Sequence, residues 1–233
     1  MFVLKTVKLF HFKELDNKVQ KSIIDNHIQD LPEWWSDDVE ERIKNEAQAI
    51  GIEDFDFVWS GFDCQGDGLS FTGTLGFKSW LFVLQQQFPN WVSDDVNESH
   101  GFKELGESLA DIVMLQENNR ISWGDCVIER TTNQYYHEST VYVNEPSSSL
   151  HGGGLGRSGR VYSSDRERME SFGLKVQKHL VRWKDSLCHQ WYADLEETYT
   201  AVLDRENIAE NIISRAQYFT ASGNIIDADE IVV

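Results

Sequence analysis

Apolar side chains recur along the chain at two periods, and the switches between them mark the elements. The opening "FVLKTVKLF" alternates apolar and polar residues and predicts a short strand. In "FKELDNKVQKSIIDNHIQDL" the residues Leu15, Val19, Ile23, Ile24 and Ile28 fall near helical spacing, so a helix is expected there, ended by Pro32. Ser36 then stands as the N-cap of a second helix. Asp37 and Asp38 occupy its first turn, where carboxylates meet the positive end of the helix dipole. That helix runs to about Ile50, and Gly51 suits the left-handed residue just past its end.

The period then changes. "FDFVWSGF", a glycine-rich turn and "LSFTGTLGF" predict a β-hairpin. "SWLFVLQQQF" reads as a short apolar helix. "FKELGESLADIVMLQENN" reads as another, with Leu105, Leu109, Ile112 and Val113 on one face. "ISWGDCVIER" and "YYHESTVYV" predict two more strands joined by "TTNQ". Glycine and serine dominate "EPSSSLHGGGLGRSGR", the composition of a flexible loop. A long helix follows, with Leu174, Val181, Leu187 or Cys188, Trp191 and Leu195 as its expected apolar stripe. A final helix from about Arg205 to Gln217 leads into "YFTASGNIIDADEIVV", an extended hairpin with a tail. The expected class is α+β: an antiparallel sheet of about four to five strands, packed helices and a long C-terminal helical region. The expected division is a core over 1–145, a flexible loop over 146–164 and a helical part over 165–233, all forming one domain.

Charge alters the picture most. Asp and Glu number 39 against 21 Lys and Arg, a net charge of -18. Such a field repels phosphates and disfavours direct binding of nucleic acid. It suits either a solvated, soluble surface or a face that meets a basic partner. The acids lie in short runs such as "SDDVEER" and "VSDDVNE", not in one block. Mean hydropathy is -0.44 and no long apolar run occurs, so no membrane association is expected. The start of the chain has no signal-peptide pattern. Three widely spaced cysteines, Cys64, Cys126 and Cys188, fit buried free thiols in a reducing cytosol.

Three segments could carry chemistry. In "SGFDCQGDGLSF", Gly66 and Gly68 permit a tight reversal and Asp67-Gly68 is a familiar hairpin pair. Turn geometry does not call for Gln65, whose amide both donates and accepts, and Asp63 and Asp67 could hold a cation or a ligand donor. In "YYHES", strand alternation places Tyr135 and His137 on one side, and His137 could act as an acid or base. "SLHGGGLGRSGR" carries His151, Arg157 and Arg160, but lacks the strand-to-helix setting of a phosphate loop and reads as a solvated loop. His179 and His189 lie ten residues apart on the long helix, too far to share a metal. No metal or cofactor motif is found, and no catalytic residue is assigned. The ligand-binding candidates are therefore Asp63, Gln65, Gly66, Asp67, Gly68, Tyr135 and His137. The partner-binding candidates are Asp37, Asp38, Asp94 and Asp95.

"PEWWSDDV", "IGIEDFDFVWSGFDCQGDGLSFTG", "YYHESTVYV" and "DLEETYTAVLDRENIAENIISRAQYFTASG" together resemble a family of uncharacterised proteins encoded by tailed bacteriophages. The resemblance rests on an SGFxxQGDGxxF hairpin, a Tyr-His strand and C-terminal helices that end in a Phe-Thr turn. It covers most of the chain outside the glycine loop. It implies a phage protein at work in the host cytoplasm and carries no activity with it. Two functions of different kind follow as expectations. The first is an acidic accessory protein that binds and inhibits a host or defence factor with a basic surface, in one form as a mimic of nucleic-acid charge. The second is a binder of a small nucleotide-like ligand, or an enzyme, built on the QGDG loop and His137.

Overall fold

The computed structural model describes residues 7–31, 33–64, 66–87, 121–131, 136–150 and 163–226. The chain divides into two compact units: Met1–Glu40 with Asp194–Val233, and Glu41–Ala193. Five helices and nine short strands are present among the described residues, and every strand pairing is antiparallel. The fold is α+β, as the two periods predict.

The unit that holds the N-terminal segment has β1 (Phe10–His11), α1 (Asn17–Gln29), α5 (Arg205–Ser214), β8 (Tyr218–Phe219) and β9 (Ile225–Ile226). The strand expected from residue 2 is confined to Phe10–His11 among the described residues, because its partner β8 offers only two residues to pair with. The helix expected from residue 12 begins instead as a 3-10 turn over Phe12–Glu14, and α1 then starts at Asn17 behind its cap. Asp16 accepts the Lys18 N–H at 2.8 Å there. Asp204 caps α5 in the same way through the N–H groups of Glu206 and Asn207, both at 2.9 Å. Phe12, Leu15, Ile23, Ile208, Ile212 and Phe219 bury together as the core of this unit. The Phe-Thr turn closes the β8–β9 hairpin, with the Thr220 N–H donating to the Asn224 carbonyl at 2.9 Å.

The second unit holds the larger sheet. α2 (Asp37–Ile50) leads into β2 (Ile52–Trp59), and Gly51 between them adopts a φ of 83°, the left-handed C′ conformation its position predicts. β2 pairs with β3 (Leu69–Leu75) as the expected hairpin, interrupted by a bulge between Glu53 and Asp56. β5 (Cys126–Arg130) and β6 (Val141–Val143) complete the sheet in the order β2-β3-β5-β6. "ISWGDCVIER" breaks at Gly124. Its first part, β4 (Ile121–Trp123), pairs with β7 (Ser148–Leu150) in a separate ribbon. Of the 146–164 segment, residues 148–150 thus form β7 and 151–162 lie outside the described residues. The expected helix over 102–119 also lies outside them.

"YYHESTVYV" departs from its expected strand. Among its described residues only Val141–Val143 forms a strand, β6, and a 3-10 turn over Glu138–Thr140 precedes it. The His137 carbonyl accepts both the Thr140 N–H at 2.9 Å and the Thr140 hydroxyl at 2.7 Å, which winds the chain before it can pair.

α3 (Phe77–Gln87) and α4 (Ser163–Leu203) supply the helical part of this core. Phe71 of β3 lies within 5.4 Å of the Trp191 ring and 6.2 Å of the Trp183 ring, and Trp80, Trp123 and Phe172 form a second aromatic run. The buried positions of α4 within this unit are Met169, Phe172, Val176, Leu180, Lys184, Cys188 and Trp191. Cys188, Trp191 and Leu195 of the expected stripe are buried, and its earlier part differs. Leu174 is 56% exposed, and a lysine occupies the position between Leu180 and Cys188.

Candidate functional site

The hairpin loop between β2 and β3 holds itself closed. Ser60 and Gly68 bond across its base: the Ser60 N–H reaches the Gly68 carbonyl at 3.0 Å, and the Gly68 N–H reaches the Ser60 hydroxyl at 3.1 Å. Asp67 turns inward on the loop. Its Oδ2 accepts the N–H of Asp63 at 3.0 Å and of Cys64 at 2.6 Å, while its own N–H donates to the Cys64 carbonyl at 3.1 Å. Such local bonding is the mechanism that makes Asp a turn residue.

The two glycines serve different needs. Gly66 takes a φ of 118°, a conformation that L side chains rarely adopt. Gly68 does not need that freedom; it needs to be small. A Cβ there would stand 2.9 Å from the Tyr136 carbonyl oxygen and 3.2 Å from His137 Cδ2. Gly68 and the 136–137 segment therefore lie against each other, and the loop and His137 are neighbours. Asp63 is exposed, and Gln65 and Tyr135 lie outside the described residues.

His137 opens the 3-10 turn. Its Nδ1 accepts the Ser139 N–H at 3.3 Å, lies 2.9 Å from the Ser139 hydroxyl, and lies 3.1 Å from Glu138 Oε2. The other carboxylate oxygen, Oε1, meets His189 Nε2 of α4 at 3.1 Å. Beneath this carboxylate is Lys184, 1% exposed. Its ammonium donates to the carbonyls of Glu138 at 2.5 Å and Val141 at 3.3 Å, and pairs with Asp185 Oδ1 at 2.6 Å. Three donors thus meet three acceptors, the condition under which a charge can be buried.

Two turns earlier on α4, Gln177 Nε2 donates to the Val143 carbonyl at 2.7 Å. β6 is the outer strand of its sheet, and Lys184 and Gln177 cover its outward carbonyls. Cys188 lies one turn after Lys184. Burial, opposed in part by the Lys184 charge, pushes its thiol up to about 12. Cys126 is likewise pushed up to about 12 by burial and by Asp125. Those two cysteines are buried free thiols as expected, but Cys64 is exposed because it sits on the hairpin loop.

Lys184 and Glu138 were not among the candidates read from sequence, and His189 was weighed there only as a metal ligand. The available signal was a break in helical pattern: Val176, Leu180, Cys188 and Trp191 leave one core position between them, and a lysine fills it. Of the partner-binding candidates, Asp37 and Asp38 are exposed in the first turn of α2, and Asp94 and Asp95 lie outside the described residues, as do His151, Arg157 and Arg160. Among the described residues no three His, Cys, Asp or Glu side chains form a group able to hold a metal ion. None of their helices is long and apolar enough to cross a membrane.

A family model described as Domain of unknown function (DUF8835) matches residues 34–204. No curated protein and no solved structure matches the chain.

Proposed function

We propose that this chain, which belongs to the DUF8835 family, is a phage-encoded accessory protein that acts in the host cytoplasm by binding and inhibiting a host or defence factor with a basic surface. The observation that carries the reading is the net charge of -18. Acids stand exposed on separate elements: Asp37, Asp38 and Glu41 on α2, Glu53 and Asp54 on β2, Glu206 and Glu210 on α5. Charge of one sign spread in this way steers a partner of the opposite sign and raises its rate of encounter.

The test is capture of partners from host lysate, followed by titration of each purified partner in low and high salt. Binding should weaken at least about tenfold across a tenfold rise in salt, and the partner should carry a basic face. An affinity that does not move with salt overturns the charge-driven reading.

A further inference from the structure

We propose that His137 is a proton-operated switch that couples the hairpin loop to α4. One nitrogen, Nδ1, has three neighbours: the Ser139 hydroxyl at 2.9 Å, which can donate or accept, and two groups that demand opposite protonation states. It accepts the Ser139 N–H at 3.3 Å, which requires a lone pair and no proton. It also faces Glu138 Oε2 at 3.1 Å, an approach that becomes favourable when Nδ1 carries a proton to donate. The two arrangements exclude each other. In the first, His137 caps the 3-10 turn. In the second, the proton taken up at Nδ1 binds the carboxylate and the Ser139 N–H loses its acceptor.

The surroundings transmit the change in two directions. On one side, Gly68 lies against the ring edge and against the Tyr136 carbonyl, so a rotation of His137 is felt in the hairpin loop. On the other, Glu138 is anchored at its backbone and faces an exposed histidine at its side chain. Its side chain reaches His189, and its carbonyl is held by Lys184, whose charge is balanced by Asp185. Cys188, which lies near Glu138, keeps its proton through neutral pH because burial raises it. His137 is 37% exposed at its side chain, so protons reach it from solvent. The groups that exchange partners are therefore the ring and the Ser139 amide, and the anchored group is the Glu138 carbonyl.

The experiment is a proton–nitrogen correlation series on the full labelled chain from about pH 8 to about pH 5, the range in which histidine as a residue type changes charge. The Ser139 and Gly68 amide signals should move together on one titration curve. His137→Gln should abolish both movements. Glu138→Gln should reduce the Ser139 movement, because the protonated ring then faces a neutral amide oxygen in place of a carboxylate. Ser139 and Gly68 signals that stay still in the wild type overturn the proposal. So do movements that persist in His137→Gln, or that vanish only in His189→Gln.

Discussion

Two carboxylates sit in neighbouring turns of the same unit and work in opposite ways. Asp67 bonds to N–H groups three and four residues before it. Glu138 joins groups about fifty residues away on α4, with His189 at its side chain and Lys184 at its carbonyl. The first arrangement can form in an isolated hairpin. The second exists only once α4 has packed on the sheet. A local bond between exposed groups competes with water on nearly even terms, whereas a buried network has no water to fall back on. Substitutions in the two turns should therefore differ in cost, with the largest losses where the partners are distant and buried.

Lys184→Met marks the upper end. Methionine fills a similar volume but offers no donor, so the Glu138 and Val141 carbonyls lose theirs and Asp185 loses its counter-charge. The expected loss is about 3 kcal/mol, tempered because Asp185 is partly exposed. Urea denaturation of the variant checks this. A midpoint equal to the wild type would mean that the ammonium is dispensable at the sheet edge, and the contrast between the two turns would fail.

Gly68→Ala tests the place where the two turns meet. The new methyl would approach a backbone oxygen, which cannot move aside as a side-chain tip can. About 2 kcal/mol should be lost, the usual cost of forcing a methyl into a packed site. Gly68→Ser should lose at least as much. A thermal melt that leaves Gly68→Ala unchanged would show that the loop and the Tyr136 segment separate freely.

How much of this was readable from sequence follows the same division. The β2–β3 hairpin, the left-handed Gly51, the helix starts near Asp37 and Arg205 and the closing Phe-Thr turn all rest on residues close in sequence, and pattern alone finds them. The second expected function joins the loop to His137; Gly68 does lie against the 136–137 segment, but Asp67 turns its carboxylate to the loop's own N–H groups. The strand predicted through Tyr136–Glu138 was misplaced because a serine–threonine turn competes with pairing there, and propensity cannot weigh that competition. The later part of the stripe on α4, Cys188, Trp191 and Leu195, was found, but its earlier part was shifted because Lys184 looks like a solvent-facing residue. Only the arrival of two carbonyls and Asp185 makes its burial tolerable, and no spacing rule reports them.

The buried thiols give a pH-dependent version of the comparison. Cys188 lies one turn from the Lys184 charge, whereas Cys126 lies beside Asp125. Each thiol is raised from its ordinary 9.0 to about 12 in the folded chain. Between those values the unfolded chain releases the proton and the folded chain keeps it, so the folded state binds more protons and stability falls as pH rises above 9. At about pH 10 the loss is about 1.4 kcal/mol per thiol. Urea midpoints at pH 8 and pH 10 should differ less in Cys126→Ala and in Cys188→Ala than in the wild type. An unchanged difference in both variants would assign the alkaline loss to other groups.

Asp67→Ala sets the lower end. The substitution removes the acceptor for two N–H groups but leaves them exposed, where water replaces it. The cost should be about 1 kcal/mol, close to that of deleting a helix cap, which has the same physical basis. Asp67→Asn keeps an oxygen at the Oδ2 position and should recover most of the loss. Melting curves for the pair decide two matters. A loss as large as that of Lys184→Met would mean that the loop is part of the buried network and that sequence distance does not separate the two turns. No loss in Asp67→Ala would mean that the loop is held by Ser60 and Gly68 at its base alone, leaving the Asp67 carboxylate available to a ligand.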